Sequence, residues 1–180
     1  MAGAGTSFTL AAGTYASGAV KVRQTDAAGN ASGESANTAP IVVDTTGPSA
    51  PVIDAVALND LVNASEKTDL KISGTAEAGS SVTLTSTSGY TQTVDATDGK
   101  WSVTVADAAS TFGQGSETVT VVSRDAAGNV GLAASRTFSV DTVAPTAPVF
   151  GLVLDSGSSS TDGKTNDGRV LSLIHISEPT

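Results

Sequence analysis

The side chains of this sequence that could do chemistry are mainly carboxylates and amides in loops. A motif of aspartate, two alanines, glycine and asparagine runs from Asp125 to Asn129, and a copy of it runs from Asp26 to Asn30. The motif forms a turn without any ligand, because aspartate accepts local backbone hydrogen bonds while glycine and asparagine tolerate positive φ. Carboxylate and amide oxygens are also the ligands that Ca²⁺ takes, about six to eight at a time. The motif alone leaves both interpretations open.

The sequence lacks the residue types that form most catalytic centres. The sequence has no cysteine and a single histidine, His175, so thiol nucleophiles, histidine-based triads and zinc sites lack their groups. A pair of carboxylates could still hydrolyse glycosides, but the pair would have to face a cleft. The acidic residues fall instead in loops between predicted strands, and no glycine-rich phosphate loop opens a helix. We therefore predict that the chain is not an enzyme.

Composition and charge narrow the class of partner. The net charge is −9, from 18 acidic and 9 basic side chains, and such a surface disfavours nucleic acid. Aromatic residues make up only 4% of the chain, which suits thin domains rich in small residues. No apolar run approaches the roughly 18 residues that cross a bilayer. We expect neither nucleic-acid binding nor membrane insertion.

The chain repeats itself. Segment 20–30 returns as 119–129, and segment 43–52 returns as 140–149. Asp125 stands 99 residues after Asp26, and Asp141 stands 97 residues after Asp44, a difference that a loop insertion explains. A period of about 100 residues is the size of one immunoglobulin-like β-sandwich.

Apolar and polar residues alternate within the complete repeat, for example in Leu70–Ser73, Val82–Thr85 and Trp101–Val105. Such alternation is typical of half-buried strands. We predict an all-β fold of tandem immunoglobulin-like sandwiches, with seven strands in the complete repeat. Trp101 could stack on a sugar, but it shares a face with Val103 and Val105, so we assign it to the core.

The repeats divide the chain into four segments. The predicted boundaries are 1–47 for the C-terminal part of a truncated repeat, 48–144 for a complete repeat, 145–170 for the start of a third, and 171–180 for a tail. Residues 1–5 have neither the basic nor the apolar region of a signal peptide, and we expect the sequence to be a piece of a longer array. Two prolines in each linker, Thr45–Pro51 and Thr142–Pro148, favour extended, semi-stiff connections.

The tail, Leu171–Thr180, does not continue the repeat. Comparison with Asp69–Gly74 predicts that a strand beginning at Arg169 should end in serine and glycine, which it does not. The tail resembles a translated sequencing adapter, so we predict that it is non-native. No functional argument is based on His175, which lies inside it.

The two motif blocks resemble the bacterial immunoglobulin-like repeats of giant RTX-type and biofilm-associated surface adhesins. The resemblance is carried by Asp125–Asn129 with Val140–Pro148 and by their copies, Asp26–Asn30 with Val43–Pro51. The resemblance covers roughly residues 15–170. The motifs together are specific for this family, whereas each motif alone indicates only a turn. The resemblance implies a secreted or cell-surface protein, tandem repetition, a role in attachment, and Ca²⁺ bound where repeats meet.

We expect carboxylates from successive repeats to converge at the junctions and to bind Ca²⁺ there. The predicted ligands at the second junction are Asp125, Asn129, Asp141, Asp155, Asp162 and Asp167. Those at the first junction, which we expect to be weaker, are Asp26, Asn30, Asp44, Asp60 and Asp69.

The predicted function is that of a structural spacer and adhesion repeat, stiffened by Ca²⁺. Its expected partners are neighbouring repeats of the same chain, and glycans or proteins of a host or biofilm surface. The alternative is a carbohydrate- or protein-binding module, including one accessory to a secreted polysaccharide-degrading enzyme. An exposed cluster of aromatic residues would favour that alternative.

Overall fold

The computed structural model describes residues 7–152, 164 and 170–173 of the chain. The segment before residue 48 forms two antiparallel strand pairs, β1 with β4 and β2 with β3. Its strands are β1 (Gly13–Tyr15), β2 (Lys21–Val22), β3 (Ser35–Ala36) and β4 (Ile41–Val43).

Residues 52–140, which we call the central unit, form two sheets. The strands are β5 (Val52–Ile53), β6 (Leu61–Val62), β7 (Thr68–Thr75), β8 (Ser81–Ser86), β9 (Thr91–Asp95), β10 (Lys100–Asp107), β11 (Gly115–Arg124) and β12 (Ala134–Val140). One sheet has the order β10-β7-β5, and the other has the order β6-β12-β11-β8-β9. All neighbours pair antiparallel except β6 and β12, which are parallel.

The core lies between the two sheets because alternate residues of the strands point inward. In β10, for example, Trp101, Val103 and Val105 are buried while the residues between them are exposed. A short helix, α1 (Ala108–Phe112), closes one end. Phe112 packs edge-on against Phe138 with ring centroids 5.5 Å apart.

The all-β sandwich predicted from the sequence is confirmed, and each of the seven predicted strands is present. An eighth strand, β6, was not predicted. The first strand, which was predicted to run from Pro51 to Val56, ends at Ile53, and the chain then crosses to the other sheet through a 3-10 turn at Val56–Leu58. The crossing uses positive φ at Ala57, Leu58 and Asp60.

Two further strands follow the central unit. β13 (Val149–Leu152) pairs antiparallel with β14 (Val170–Leu173). Three residues of β14 belong to the segment that we predict to be non-native, and that assignment stays a prediction.

One carboxylate, that of Glu117, is buried in the central unit. Its side chain is only 4% exposed, and Oε1 accepts hydrogen bonds from the Thr87 hydroxyl at 2.5 Å and the Ser88 amide at 3.0 Å. Burial raises the pKa of Glu117, but these hydrogen bonds outweigh burial and bring the pKa below its usual value. The ionised carboxylate therefore holds the hairpin between β8 and β9.

We expect Glu117→Gln to lower the free energy of unfolding by about 1–3 kcal/mol at neutral pH, because two hydrogen bonds to a charged acceptor become weaker bonds to a neutral amide oxygen. Since the folded-state pKa is lowered, this stabilisation is complete above the ordinary pKa of the carboxyl and disappears as pH falls through the folded-state pKa. Urea unfolding of both proteins across the acid range measures the difference. A difference that does not change with pH would contradict a role for the ionised form.

Candidate functional site

Opposite ends of strand β12 carry Asp125 and Asp141. The loop that contains Asp125 precedes β12, and Asp141 follows it. A strand of seven residues spans roughly 23 Å, so the two carboxylates cannot share an ion. The expected grouping of Asp125 and Asn129 with Asp141 at the second junction is therefore wrong.

The Asp125–Asn129 loop is a closed turn. Asp125 Oδ1 accepts a hydrogen bond from the Asn129 amide at 2.8 Å, and Oδ2 accepts one from Asn129 Nδ2 at 2.8 Å. The hydrogen bond from the Asn129 side chain, together with backbone amides, lowers the pKa of Asp125. The carboxylate is thus ionised and its orientation is fixed.

The copy of this turn, Asp26–Asn30, has the same geometry. Asp26 Oδ1 accepts from the Asn30 amide at 2.8 Å and Oδ2 accepts from Asn30 Nδ2 at 2.8 Å. The Asn30 side chain is also the main cause of the lowered pKa of Asp26. Asp26 lies in the loop between β2 and β3, whereas Asp44 directly follows β4. Because Gly13 pairs with Val43 and Thr25 with Ala31, the two carboxylates occupy opposite ends of this segment. The first-junction cluster that was expected to contain both is not formed.

Asn129 also reaches the linker that enters the central unit. Its Nδ2 donates to the backbone oxygen of Asp44 at 3.2 Å. Further along, the Ser123 hydroxyl donates to the backbone oxygen of Ser49 at 3.4 Å, and Pro48 is buried. The linker therefore lies against the loop between β11 and β12.

Acidic side chains from both sides of this junction line one cleft of about 480 Å³. They are Asp44 from the linker side, and Glu77 and Asp125 from the central unit. Glu77 reaches the cleft because Ser81 pairs with Arg124, so the loops that precede β8 and follow β11 are neighbours. Glu77 was not predicted as a site residue, although its position just before β8 places it at this end of the sheet.

The donors around the cleft are the hard oxygens that Ca²⁺ prefers, but they are not gathered into a chelating set. Within residues 7–152, 164 and 170–173, no three aspartate, glutamate, histidine or cysteine side chains are grouped so as to hold a metal ion. Asp44 Oδ1 accepts from the Thr46 amide at 2.9 Å. The chemistry of the donors fits the ion, and their spacing does not.

Asp60 has a different partner from the one expected. Its carboxylate accepts two hydrogen bonds from Arg136, from Nε at 2.7 Å and from a terminal guanidinium nitrogen at 2.6 Å. Asp60 Oδ1 also accepts from the Val56 amide at 3.0 Å. The Arg136 hydrogen bonds lower the pKa of Asp60. This side chain fixes the crossing between the sheets, and its assignment to a calcium site at the first junction is wrong.

The remaining predicted ligands are not brought together. Asp69 lies in β7 with φ of 54°, six positions before Thr75, the end of the strand that reaches the first junction, so it cannot join Asp44 there. Asp141 Oδ1 accepts from the Val143 amide at 3.2 Å. Asp155, Asp162 and Asp167 lie outside the described residues.

A second cleft, of about 560 Å³, lies beside β7 and β10. Its lining includes charges of both signs, among them Asp54, Lys71, Asp95 and Lys100. Trp101 contributes to the wall but is only 2% exposed, and its Nε1 donates to the Thr75 backbone oxygen at 3.3 Å. The assignment of Trp101 to the core is confirmed, and its ring is not presented to this cleft for stacking on a sugar.

Three solved structures that resemble the chain come from bacterial ice-binding adhesins. A Ca²⁺-stabilised adhesin that helps an Antarctic bacterium to reach out and bind ice is 34% identical over 72% of this chain and 32% of its own, with a TM-score of 0.42. A bacterial immunoglobulin-like domain from the ice-binding adhesin of M. primoryensis is 31% identical over 53% of this chain and 100% of its own, with a TM-score of 0.39. A 1.5-MDa bacterial ice-binding adhesin, described for its host cell surface retention, is 28% identical over 68% of this chain and 40% of its own, with a TM-score of 0.38.

The chain thus spans about a third of the first of these proteins. No significant match was found among curated proteins. No helix in the described ranges is long and apolar enough to cross a membrane. The family model described as the bacterial Ig domain matches residues 48–139, just over half of the chain. The chain therefore belongs to the bacterial immunoglobulin-like domain family.

Proposed function

We propose that the chain is a structural spacer of a large secreted or cell-surface bacterial adhesin, made rigid by Ca²⁺ where its units meet. The observation that carries this proposal is the first junction, where Asp44 on one side faces Glu77 and Asp125 on the other across one cleft. The similarity to domains of surface adhesins supports the same role. In this role the chain performs no catalysis, and its first partners are its own neighbouring repeats.

The ion would act by relieving repulsion between carboxylates. Asp125 is ionised in its turn, and carboxylates that share a cleft repel one another. Each oxygen of a carboxylate accepts more than one hydrogen bond or metal contact, so Asp125 can bind an ion without releasing Asn129. Ca²⁺ would have to draw Asp44 and Glu77 toward Asp125. The Antarctic relative is a Ca²⁺-stabilised adhesin, and this assignment follows it by analogy.

The internal repeat extends the proposal to the other junctions. Asp26 and Asn30 correspond to Asp125 and Asn129, so we assign them to the junction with a preceding repeat. Asp141 corresponds to Asp44, so we assign it to the next junction, together with Asp155, Asp162 and Asp167. A row of such joints would hold a distal binding tip, directed at surface glycans or proteins, away from the cell.

We expect Ca²⁺ to raise the melting temperature of the chain in scanning calorimetry, because an ion that binds only the folded form stabilises it. A hundredfold excess over Kd contributes about 2.7 kcal/mol, and extracellular modules bind Ca²⁺ with Kd of about 10⁻⁴ to 10⁻³ M. The measurement compares millimolar Ca²⁺ with chelator. Asp44→Asn and Glu77→Gln should each reduce the rise.

The control is Asp95→Asn, which removes one negative charge from the other cleft and should leave the rise unchanged. Magnesium at the same concentration controls for ionic strength. An equal rise in all variants would place the ion elsewhere in the chain, and no rise in the parent protein would refute stiffening by Ca²⁺.

A further inference from the structure

We infer that residues 123–131, which are the end of β11 and the loop after it, form a docking site whose ligand is the backbone of the preceding linker, and that this site fixes the joint without any metal. The inference builds on the proposed role as a spacer but not on Ca²⁺. The site would accept an extended chain that offers a free backbone oxygen at one position and a glycine three residues later. Linker residues 44–49 meet this description.

The first element of the site is an amide held ready by the turn. A side-chain NH₂ group has two donor hydrogens. One hydrogen of Asn129 Nδ2 bonds Asp125 Oδ2 at 2.8 Å, and the other reaches the Asp44 backbone oxygen at 3.2 Å. The Asp26–Asn30 turn forms the same two internal bonds, so the turn is built by its own residues. The amide is therefore oriented before the linker arrives.

The second element is a close approach of two backbones, which requires glycine on both sides. A Cβ atom on Gly47 would lie 2.5 Å from the Val130 backbone oxygen, and a Cβ on Gly131 would lie 2.5 Å from the Pro48 backbone oxygen. Both distances are far below van der Waals contact, and both obstacles are backbone atoms that cannot rotate away. Pro48 is buried in this contact region. The linker thus fits the loop only where both positions lack a side chain.

The internal repeat shows that this fit is specific to one joint. By the offsets of the repeat, the position of Gly47 is occupied by Ala144 in the second linker. The position of Gly131 is occupied by Ser32 in the preceding loop. Each of these residues adds the Cβ that the first joint excludes. We therefore expect joints along such an array to differ in stiffness when calcium is absent, with the glycine-paired joint held by protein contacts alone.

The absence of cysteine allows a direct test by site-directed spin labelling. Cysteines introduced at Ser35 and Thr104, both exposed strand positions on either side of the joint, receive labels in the full chain. The distance distribution between them is measured by double electron–electron resonance in chelator. The parent protein should give a narrow distribution. Gly47→Ala and Gly131→Ser, which introduce the residues found at the equivalent positions, should lose it and give a broad one.

The matched control is Gly33→Ala, since a Cβ at Gly33 meets nothing within 4 Å and should leave the distribution narrow. Far-ultraviolet circular dichroism shows whether each variant is folded. Gly47 lies outside the segment matched by the family model, so Gly47→Ala tests the joint even if Gly131→Ser does not fold. A broad distribution in the parent protein without metal, or a narrow one in Gly47→Ala, would overturn the inference.

Addition of Ca²⁺ to the same samples separates this inference from the proposed calcium function. If the loop docks the linker and Ca²⁺ does not stiffen the joint, the parent protein gives a narrow distance distribution in chelator. The distributions of the glycine variants then stay broad after Ca²⁺ is added, and this result supports the docking site. Calcium stiffening without docking gives a parent distribution that is broad in chelator and narrows only with Ca²⁺, which overturns the docking site and leaves the calcium function standing.

Discussion

Replacement of Trp101 by alanine is expected to lower the free energy of unfolding of the central unit by about 3–5 kcal/mol, the range for removing a large aromatic side chain from a core. Trp101 is 2% exposed and belongs to the cluster of buried side chains between the sheets. The variant loses the area buried by the indole and leaves a cavity. It also leaves the Thr75 backbone oxygen without the indole hydrogen bond. Urea unfolding followed by circular dichroism measures the loss.

Ser102→Ala is the matched control, because the neighbouring side chain points outward from the same strand. Its effect should stay within about 0.5 kcal/mol. If Trp101→Ala were as mild as this control, the indole would not be part of the core, and a role in binding sugars would have to be reconsidered.

Replacement of Gly74 by alanine is expected to be similarly severe. A Cβ at Gly74 would lie 1.9 Å from the Val52 backbone oxygen and 2.9 Å from Cζ2 of Trp101. The pairing of β5 with β7 at Ile53 and Gly74 cannot survive this overlap. Overpacking of a core costs about 1–3 kcal/mol and sometimes more, and we expect a loss at or above the upper end of that range.

Hydrogen exchange locates the damage caused by Gly74→Ala, since the amides at the β5–β7 pairing should lose protection first. Gly33→Ala again provides the control: its Cβ has open space, and the change should be neutral or stabilising by up to about 1 kcal/mol. If the β5 amides of Gly74→Ala remained protected from hydrogen exchange, β5 and β7 would not be packed closely enough to exclude a Cβ at this position.

The longer strands were predictable because apolar and polar residues alternate along their sequences. Apolar residues are buried at alternate positions at Val82 and Leu84 in β8, at Trp101, Val103 and Val105 in β10, and at Val119 and Val121 in β11. β6 was missed because a strand of two residues leaves no alternation to detect. The turn before it depends on positive φ at Ala57, Leu58 and Asp60, and nothing in the identity of an alanine or leucine signals that conformation.

The candidate site was predicted in part. The Asp125–Asn129 turn was recognisable from residue types alone, but it was predicted to lie at the same end of the sandwich as Asp141, and it lies at the opposite end. Strand order contained the necessary signal, because a loop that precedes the last strand lies at the opposite end from the residue that follows it. The bond between Asp60 and Arg136 joins residues 76 positions apart, and the space around Gly47 depends on a loop far along the chain. Neither leaves a local pattern.

The parallel pairing of β6 with β12 has a mechanical consequence. β6 is near the point where the chain enters the central unit, and β12 is where it leaves, so tension on the two ends pulls these neighbouring strands past each other. The Ser139 amide donates to the backbone oxygen of Asp60, and the Asp141 amide donates to that of Val62, each at 2.9 Å. The Arg136 guanidinium also donates to the Asp60 carboxylate between the same two strands. These bonds are loaded in shear, all together rather than in succession. We therefore expect β6 and β12 to separate in one event, a property that suits the proposed spacer when it is under tension.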